Sequence, residues 1–241
     1  MQPRKLEQNK NIWSELLMQH LPPLTRKGEL SSQASLRNRN QQKDTSEATF
    51  SEVFSDTVVD AAATGFICAH LETADKPILW IQDRLSRREA GKPYLAGLPA
   101  PLKIIYVDVS KPIDVLWAME EGLRCTGLSA VLGEVWGDPP CLDFTASKRL
   151  ALRAEARGLP AWLIRRAATP NLSAARMRWR VSSLASETVK YDMRAPGQPL
   201  WRAELFRARW RPPGEWVASH TETGLTLNHG VQDTPSNLQT A

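Results

Sequence analysis

The clearest hydrophobic pattern in the chain runs from residue 103 to residue 136. Residues 103–109 (KIIYVDV) form a short apolar run rich in β-branched side chains, as expected of a strand covered on both faces. Ser110 can cap a helix, and Pro112 is tolerated in its first turn, where a missing N–H costs nothing. Ile113, Leu116, Trp117 and Leu123 then recur at helical spacing, with Val115 and Met119 widening the stripe. Asp114, Glu120, Glu121 and Arg124 fall on the other side, and Gly127 suits a helix stop. Residues 128–135 are a second apolar run. Two such runs joined by a helix lie parallel in one sheet.

The same grammar repeats on either side. Residues 50–54 read as a strand; Asp56 or Thr57 can cap a helix carrying Val58, Val59, Ala62, Phe66 and Leu71, and residues 78–82 (ILWIQ) read as a buried strand. Downstream, Asp143 or Thr145 caps a helix with Ala146, Leu150 and Ala154 on one side, ended by Gly158, before a strand at 161–164. The last third changes period. Met177, Trp179 and Val181 alternate with Arg176, Arg178 and Arg180, and Trp201, Ala203 and Leu205 alternate likewise. Residues 215–219 and 225–227 flank a turn at 222–224, so antiparallel strands are expected to extend the sheet. The fold class is α/β, with a mostly parallel sheet flanked by helices and antiparallel strands at its C-terminal side.

Residues 1–49 differ from the rest. A short amphipathic helix is expected at 11–20, with Ile12, Trp13, Leu16 and Leu17 on one side, followed by a flexible polar linker at 26–49. The folded domain is expected over 50–230, with a polar, disordered tail at 231–241. The segment at 57–71 is the longest apolar stretch, and Asp60 interrupts it short of a membrane span. No targeting segment is recognised. Cys68, Cys125 and Cys141 are far apart without a CxxC pair, which suggests neither a disulfide framework nor a zinc site. A soluble cytoplasmic protein is expected.

Charge changes the picture through its distribution. The net formal charge is +5, and residues 148–180 hold nine Lys or Arg against one acid, Glu155, making this the most basic part of the chain. Arginine at every second position projects a positive stripe, and Trp179 and Trp210 are placed to stack on bases. A strand with one solvated basic face and buried indoles is the commoner outcome of such a pattern. Arg176, Arg178, Arg180, Arg207, Arg209, Trp210, Arg211 and Trp216 are the candidate contacts for a partner or DNA. A second charged stretch, 83–100, carries Arg84, Arg87, Arg88 and Lys92 at the carboxyl end of a strand, where α/β sheets often place ligands.

The first strand-to-helix loop decides whether a nucleotide is expected. A phosphate cradle needs glycines that let backbone N–H groups approach, together with a Lys and a Ser or Thr. Here the loop reads SDTVVD, with two carboxylates and no glycine; Gly91-Lys92 is followed by Pro93, and no GxGxxG occurs. Bound nucleoside triphosphate, cofactors and catalysis are not expected.

The blocks ILWIQDR, IIYVDV, AMEEGLR, AVLGEV, FTASKRLALRAEARGLPAWLIR, RWRVSS and LWRAELFRAR followed by RPPGEWVA occur in this order between residues 78 and 218, within a resemblance that covers roughly 50–227. Together they resemble the ImuA family, the RecA-like proteins of bacterial mutagenesis cassettes, also grouped with the division inhibitor SulA. The resemblance implies a RecA-like core with a degenerate nucleotide site. It also implies a damage-induced accessory role in translesion synthesis beside ImuB, a Y-family polymerase homologue, with RecA and an error-prone replicative-type polymerase as further partners. The region from 201 to 227 and the tail would then contact ImuB. In RecA-like ATPases a metal-binding carboxylate ends a strand, where this chain has Glu134, and a catalytic carboxylate is expected near Asp83 or Arg84. Glu134 without a phosphate cradle is expected to be structural. Direct single-stranded DNA binding, an unconventional ATPase and SulA-like division inhibition are the alternatives.

Overall fold

The computed structural model describes residues 48–71, 75–98, 102–221 and 224–229. The expected helix at 11–20, all of the linker but Ala48 and Thr49, and the tail lie outside the described residues. The elements run β1 (Phe50–Ser55), α1 (Ala62–His70), β2 (Ile78–Asp83), α2 (Arg84–Ala90), β3 (Ile104–Val109), α3 (Pro112–Gly122), β4 (Ala130–Trp136), α4 (Phe144–Arg157), β5 (Ala161–Arg166), β6 (Met177–Ser183), β7 (Thr188–Val189), β8 (Asp192–Pro196), β9 (Leu200–Ala208), β10 (Gly214–Thr221) and β11 (Gly224–His229). A 3₁₀ turn, Leu95–Gly97, separates α2 from β3. Strands β7 and β8 form a separate hairpin. The others build a nine-stranded sheet in the order β11-β10-β9-β6-β1-β5-β4-β2-β3. The six strands from β6 to β3 are parallel, and β9, β10 and β11 add antiparallel strands at the other side. This is the architecture expected of a RecA-like core.

Each face of the sheet carries its own apolar core, because side chains alternate across a strand. Val53, Trp80, Leu132, Trp162, Ile164, Met177, Trp179, Val181, Trp201 and Leu205 face α1, with Phe66 and Ile67 pressed onto them. Phe50, Ile81, Val131, Val135 and Leu163 face α3 and α4, whose Val115, Met119, Leu123, Leu150 and Ala154 complete the second core. Two glycines permit the close approaches. A Cβ on Gly65 would stand 2.7 Å from the Trp201 indole, and one on Gly133 would stand 2.2 Å from Met119 Sδ and 3.0 Å from Leu163 Cδ1.

The close seating at Gly133 explains how α3 differs from its sequence reading. Val115, Leu116, Met119 and Leu123 are buried, but Ile113 is 55% and Trp117 66% exposed. The helix settles on its small-residue side, where Gly122 lies over Leu79 and Met119 over Gly133, and this rotates Ile113 and Trp117 outward. Its N-terminus is set by Lys111 as cap and Pro112 at the first helical position, and it closes at Gly122, before Gly127.

Other boundaries moved for identifiable reasons. Helix α1 starts at Ala62, because the loop before it is held elsewhere: Asp56 N–H donates to Val181 C=O, and the Asp60 carboxylate accepts from Ala62 N–H at 2.8 Å. Val58 and Val59 are therefore exposed loop residues. The charged stretch after β2 folds its first half into α2, capped by Asp83, whose carboxylate accepts from Ser86 N–H at 2.7 Å. Strand β6, expected to be antiparallel, is parallel to β1. The connection 167–176 carries the chain back across the α4 side, pinned by Ala174 N–H donating to Ser147 Oγ at 2.9 Å, so the reversal comes only at β9. The cap at Asp143 and the left-handed Gly158 that ends α4 are as the sequence predicts.

His70 closes α1 against the aromatic core. Its ring packs on Phe66, Trp162 and Trp179, Nδ1 lies 3.0 Å from Phe66 C=O, and buried Nε2 has no partner among the described residues. Burial pushes its pKa down to about 4, with the Phe66 carbonyl opposing and Arg211 reinforcing. The unfolded chain therefore takes up a proton near pH 6.5 that the folded chain refuses. Stability is full above about pH 6.5 and falls as pH drops toward about 4. His70→Gln should flatten that part of a urea-denaturation pH profile. Gly133→Ala should cost about 1–3 kcal/mol of unfolding free energy in the same assay, through overpacking against Met119.

Candidate functional site

Open parallel sheets bind ligands in the crevice beyond the carboxyl ends of their strands. Here that crevice holds the chain's own charges. The Asp60 carboxylate, at the N-terminus of α1, accepts from Ala62 N–H (2.8 Å), Ser183 N–H (2.8 Å) and Ser183 O–H (2.6 Å). It occupies the position where a helix N-terminus would otherwise attract a phosphate. Arg166, from the end of β5, lies alongside: Nε donates to Glu134, Nη1 to Asp60 C=O at 2.9 Å and Nη2 to Thr64 Oγ1 at 3.1 Å. Glu134 and Arg166 are both buried, and Glu134 is one half of an internal ion pair. Asp83 is committed to capping α2, and Arg84 is exposed.

A second internal network crosses the α4 face of the sheet. Glu52, at the middle of β1, accepts from Arg178 Nε on β6 at 2.7 Å and from Ser173 O–H at 3.0 Å, and lies 3.7 Å from Arg165 Nη1 on β5. Arg165 donates through Nη2 to Asp138 at 2.6 Å. Burial pushes the Arg165 guanidinium below its ordinary pKa, with Glu52 and Asp138 acting against it. Phe54 stacks beneath both guanidiniums, 5.3 Å from each, and Phe206 beneath Arg178 at 5.3 Å and Arg180 at 5.2 Å.

These pairings revise the expected arginine stripe. The alternation is present, with Met177, Trp179 and Val181 in the core and the arginines on the opposite face. Arg178, however, is buried and bound to Glu52, so it offers no contact surface. Arg176 is held by both oxygens of Glu155, which raises its pKa and lowers that of the carboxyl. Arg180 is shared between Glu204 and Asp56. Trp179 is fully buried, with no face open to a base. Arg211 lies 5.4 Å from the Trp179 ring and 4.9 Å from that of Trp216, itself partly buried against the core. Trp210 is 52% exposed, with Arg209 at 5.7 Å over its ring.

Three of the candidates do come together. Arg176, Arg207 and Arg209, with Phe144, Ser173 and Ala175, line a cleft of about 300 Å³ between the start of α4 and the end of β9. Simple alternation along β9 would put Arg207 and Arg209 on the face of Trp201, Ala203 and Leu205. A bulge prevents this: Trp179 pairs with Leu205 but Arg178 pairs with Arg207, leaving Phe206 unopposed. The extra residue turns the following side chains over. Phe144 was not singled out from the sequence; its signal was an aromatic residue directly after the Asp143 cap, off the buried Ala146-Leu150-Ala154 stripe. The bulge and Ser173 had no sequence signal.

Glu52→Gln should cost about 3–5 kcal/mol of stability in urea denaturation, because two buried guanidiniums lose their shared counter-charge. Arg180→Gln, which breaks a half-exposed pair, should cost less than about 1 kcal/mol.

No family model matches the chain. It is similar to Protein ImuA of two Caulobacter vibrioides strains, NA1000 / CB15N and ATCC 19089 / CIP 103742 / CB 15, at 30% identity over 158 residues in each case. The match takes in 61% of this chain and spans 62% of the length of those relatives. The resemblance to ImuA read from the ordered sequence blocks is thus also found by direct comparison.

Proposed function

We propose that this chain, as an ImuA-like protein, is a non-catalytic accessory factor of an ImuA–ImuB mutagenesis system, acting in damage-induced translesion synthesis. It bridges ImuB and RecA to an error-prone polymerase, in the cytoplasm and at the nucleoid when DNA is damaged. The observation that carries the non-catalytic part is the self-occupied crevice: Asp60 takes the N-terminus of α1, and Arg166 fills the adjoining space with Glu134 as its counter-ion. A triphosphate there would meet a carboxylate and would have to break a buried ion pair. A RecA-like core relieved of nucleotide chemistry keeps its surfaces for partners, and the similarity to ImuA supplies the system in which they act.

The C-terminal strands support the partner region only as part of the sheet. Leu225 and Leu227 on β11 pack against the core, so removing β11 would expose that core as well as any docking surface. Partner binding is therefore tested with the full chain.

Co-purification with ImuB and with RecA from the same source is expected, while Mg²⁺-ATP leaves the thermal midpoint unmoved. A nucleotide present at about 100 times its Kd would stabilise the fold by about 2.7 kcal/mol and shift that midpoint by several degrees. Such a shift, accompanied by hydrolysis, would refute the non-catalytic reading. Failure to recover either partner would refute the bridging role.

A further inference from the structure

Among the described residues, many of the arginines are paired with a carboxylate and some are not. Arg149 and Arg153 are held by Glu120, Arg165 and Arg178 by Glu52, Arg166 by Glu134, Arg176 by Glu155, and Arg180 by Glu204. Arg207 and Arg209 are exposed, and no carboxylate among the described residues forms an ion pair with either. Both border the α4–β9 cleft, brought to that face by the bulge at Phe206. Glu155, whose carboxyl Arg176 and, more weakly, Arg209 hold below the usual carboxylate range, is engaged through both oxygens by Arg176.

The aromatic residues around this patch select among anionic partners. Phe144 lines the cleft and is 43% exposed; Trp210, next to Arg209, is 52% exposed. An acidic peptide would use the guanidiniums and leave these rings in water. A single-stranded nucleic acid uses both, with phosphates against arginine and bases against aromatic faces, the usual composition of such sites. A cleft of about 300 Å³ has room for one nucleotide unit.

We infer that the cleft between α4 and β9 is a contact site for single-stranded nucleic acid, with Arg207 and Arg209 on the phosphodiester backbone and Phe144 as a stacking platform. The site lies apart from the self-occupied crevice and uses none of its residues. An accessory factor carrying it would be held on exposed template strand independently of its protein partners.

The test is fluorescence anisotropy of the full chain with a labelled oligothymidine over a salt series of about 50 to about 200 mM. Arg207→Ala/Arg209→Ala should weaken binding about tenfold or more and reduce the slope of log affinity on log salt by about 1.4, near 0.7 for each lost single-strand contact. Phe144→Ala should weaken binding about five- to tenfold with the slope unchanged. Glu155→Gln should tighten binding, since it removes the counter-charge of Arg176, which lines the cleft. Arg84→Ala/Lys111→Ala removes equal charge from exposed sites elsewhere and should leave affinity unchanged. Circular dichroism verifies that each variant is folded. An equal loss in the Arg84/Lys111 control, an unchanged Arg207/Arg209 variant, or binding of polyglutamate but not of oligothymidine would each overturn the assignment.

Discussion

Glu52 is the pivot of this molecule. A single carboxylate at the middle of β1 reaches Arg165 on one neighbouring strand and Arg178 on the other, and all three side chains are buried. Desolvating two guanidiniums is costly, and it is tolerated because Glu52, Asp138, Ser173 and the faces of Phe54 and Phe206 surround them. Register follows from this. A slip of β5 or β6 against β1 by one residue would move a buried arginine to the apolar α1 side and strand its partner. The parallel centre of the sheet and the crossing of segment 167–176, through Ser173, both meet at that carboxylate.

The same economy governs the crevice where an α/β sheet of this kind would hold a ligand. Asp60 and Arg166 do there with internal hydrogen bonds what a bound phosphate and its cradle would do in a nucleotide-binding sheet. Asp60 joins the start of α1 to the end of β6 through Ser183, and Arg166 joins β5 to α1 and to β4 through Glu134. The elements that ligand binding would organise are thereby tied together within the chain. The outer faces carry exposed groups of their own, among them the lining of the cleft beside α4 and Trp117 of α3.

Much of the fold was legible because it depends on local patterns. The apolar runs at 78–82 and 103–109, the Asp143 cap, the Gly158 stop and the alternation in β6 and β9 follow from the periods of helix and strand, and the missing glycines in the 55–60 loop already argued against a phosphate cradle. Features set by neighbours distant in sequence were not legible. Helix α3 was rotated by close contacts at Gly122 and Gly133, α1 was shortened by hydrogen bonds to β6, and the direction of β6 was set by a crossing that packs on α4.

The amino-acid sequence alone determined the α/β class, most strand and helix positions, the absence of a glycine-rich phosphate loop and the concentration of arginine in the second half. Only the tertiary structure decided which arginines remain available. Periodicity tells which face a side chain leaves from, but whether a guanidinium meets a carboxylate depends on strands more than a hundred residues apart, as in Arg178 with Glu52. A one-residue bulge, invisible to any alternating pattern, then decided that Arg207 and Arg209 face the cleft instead of the core.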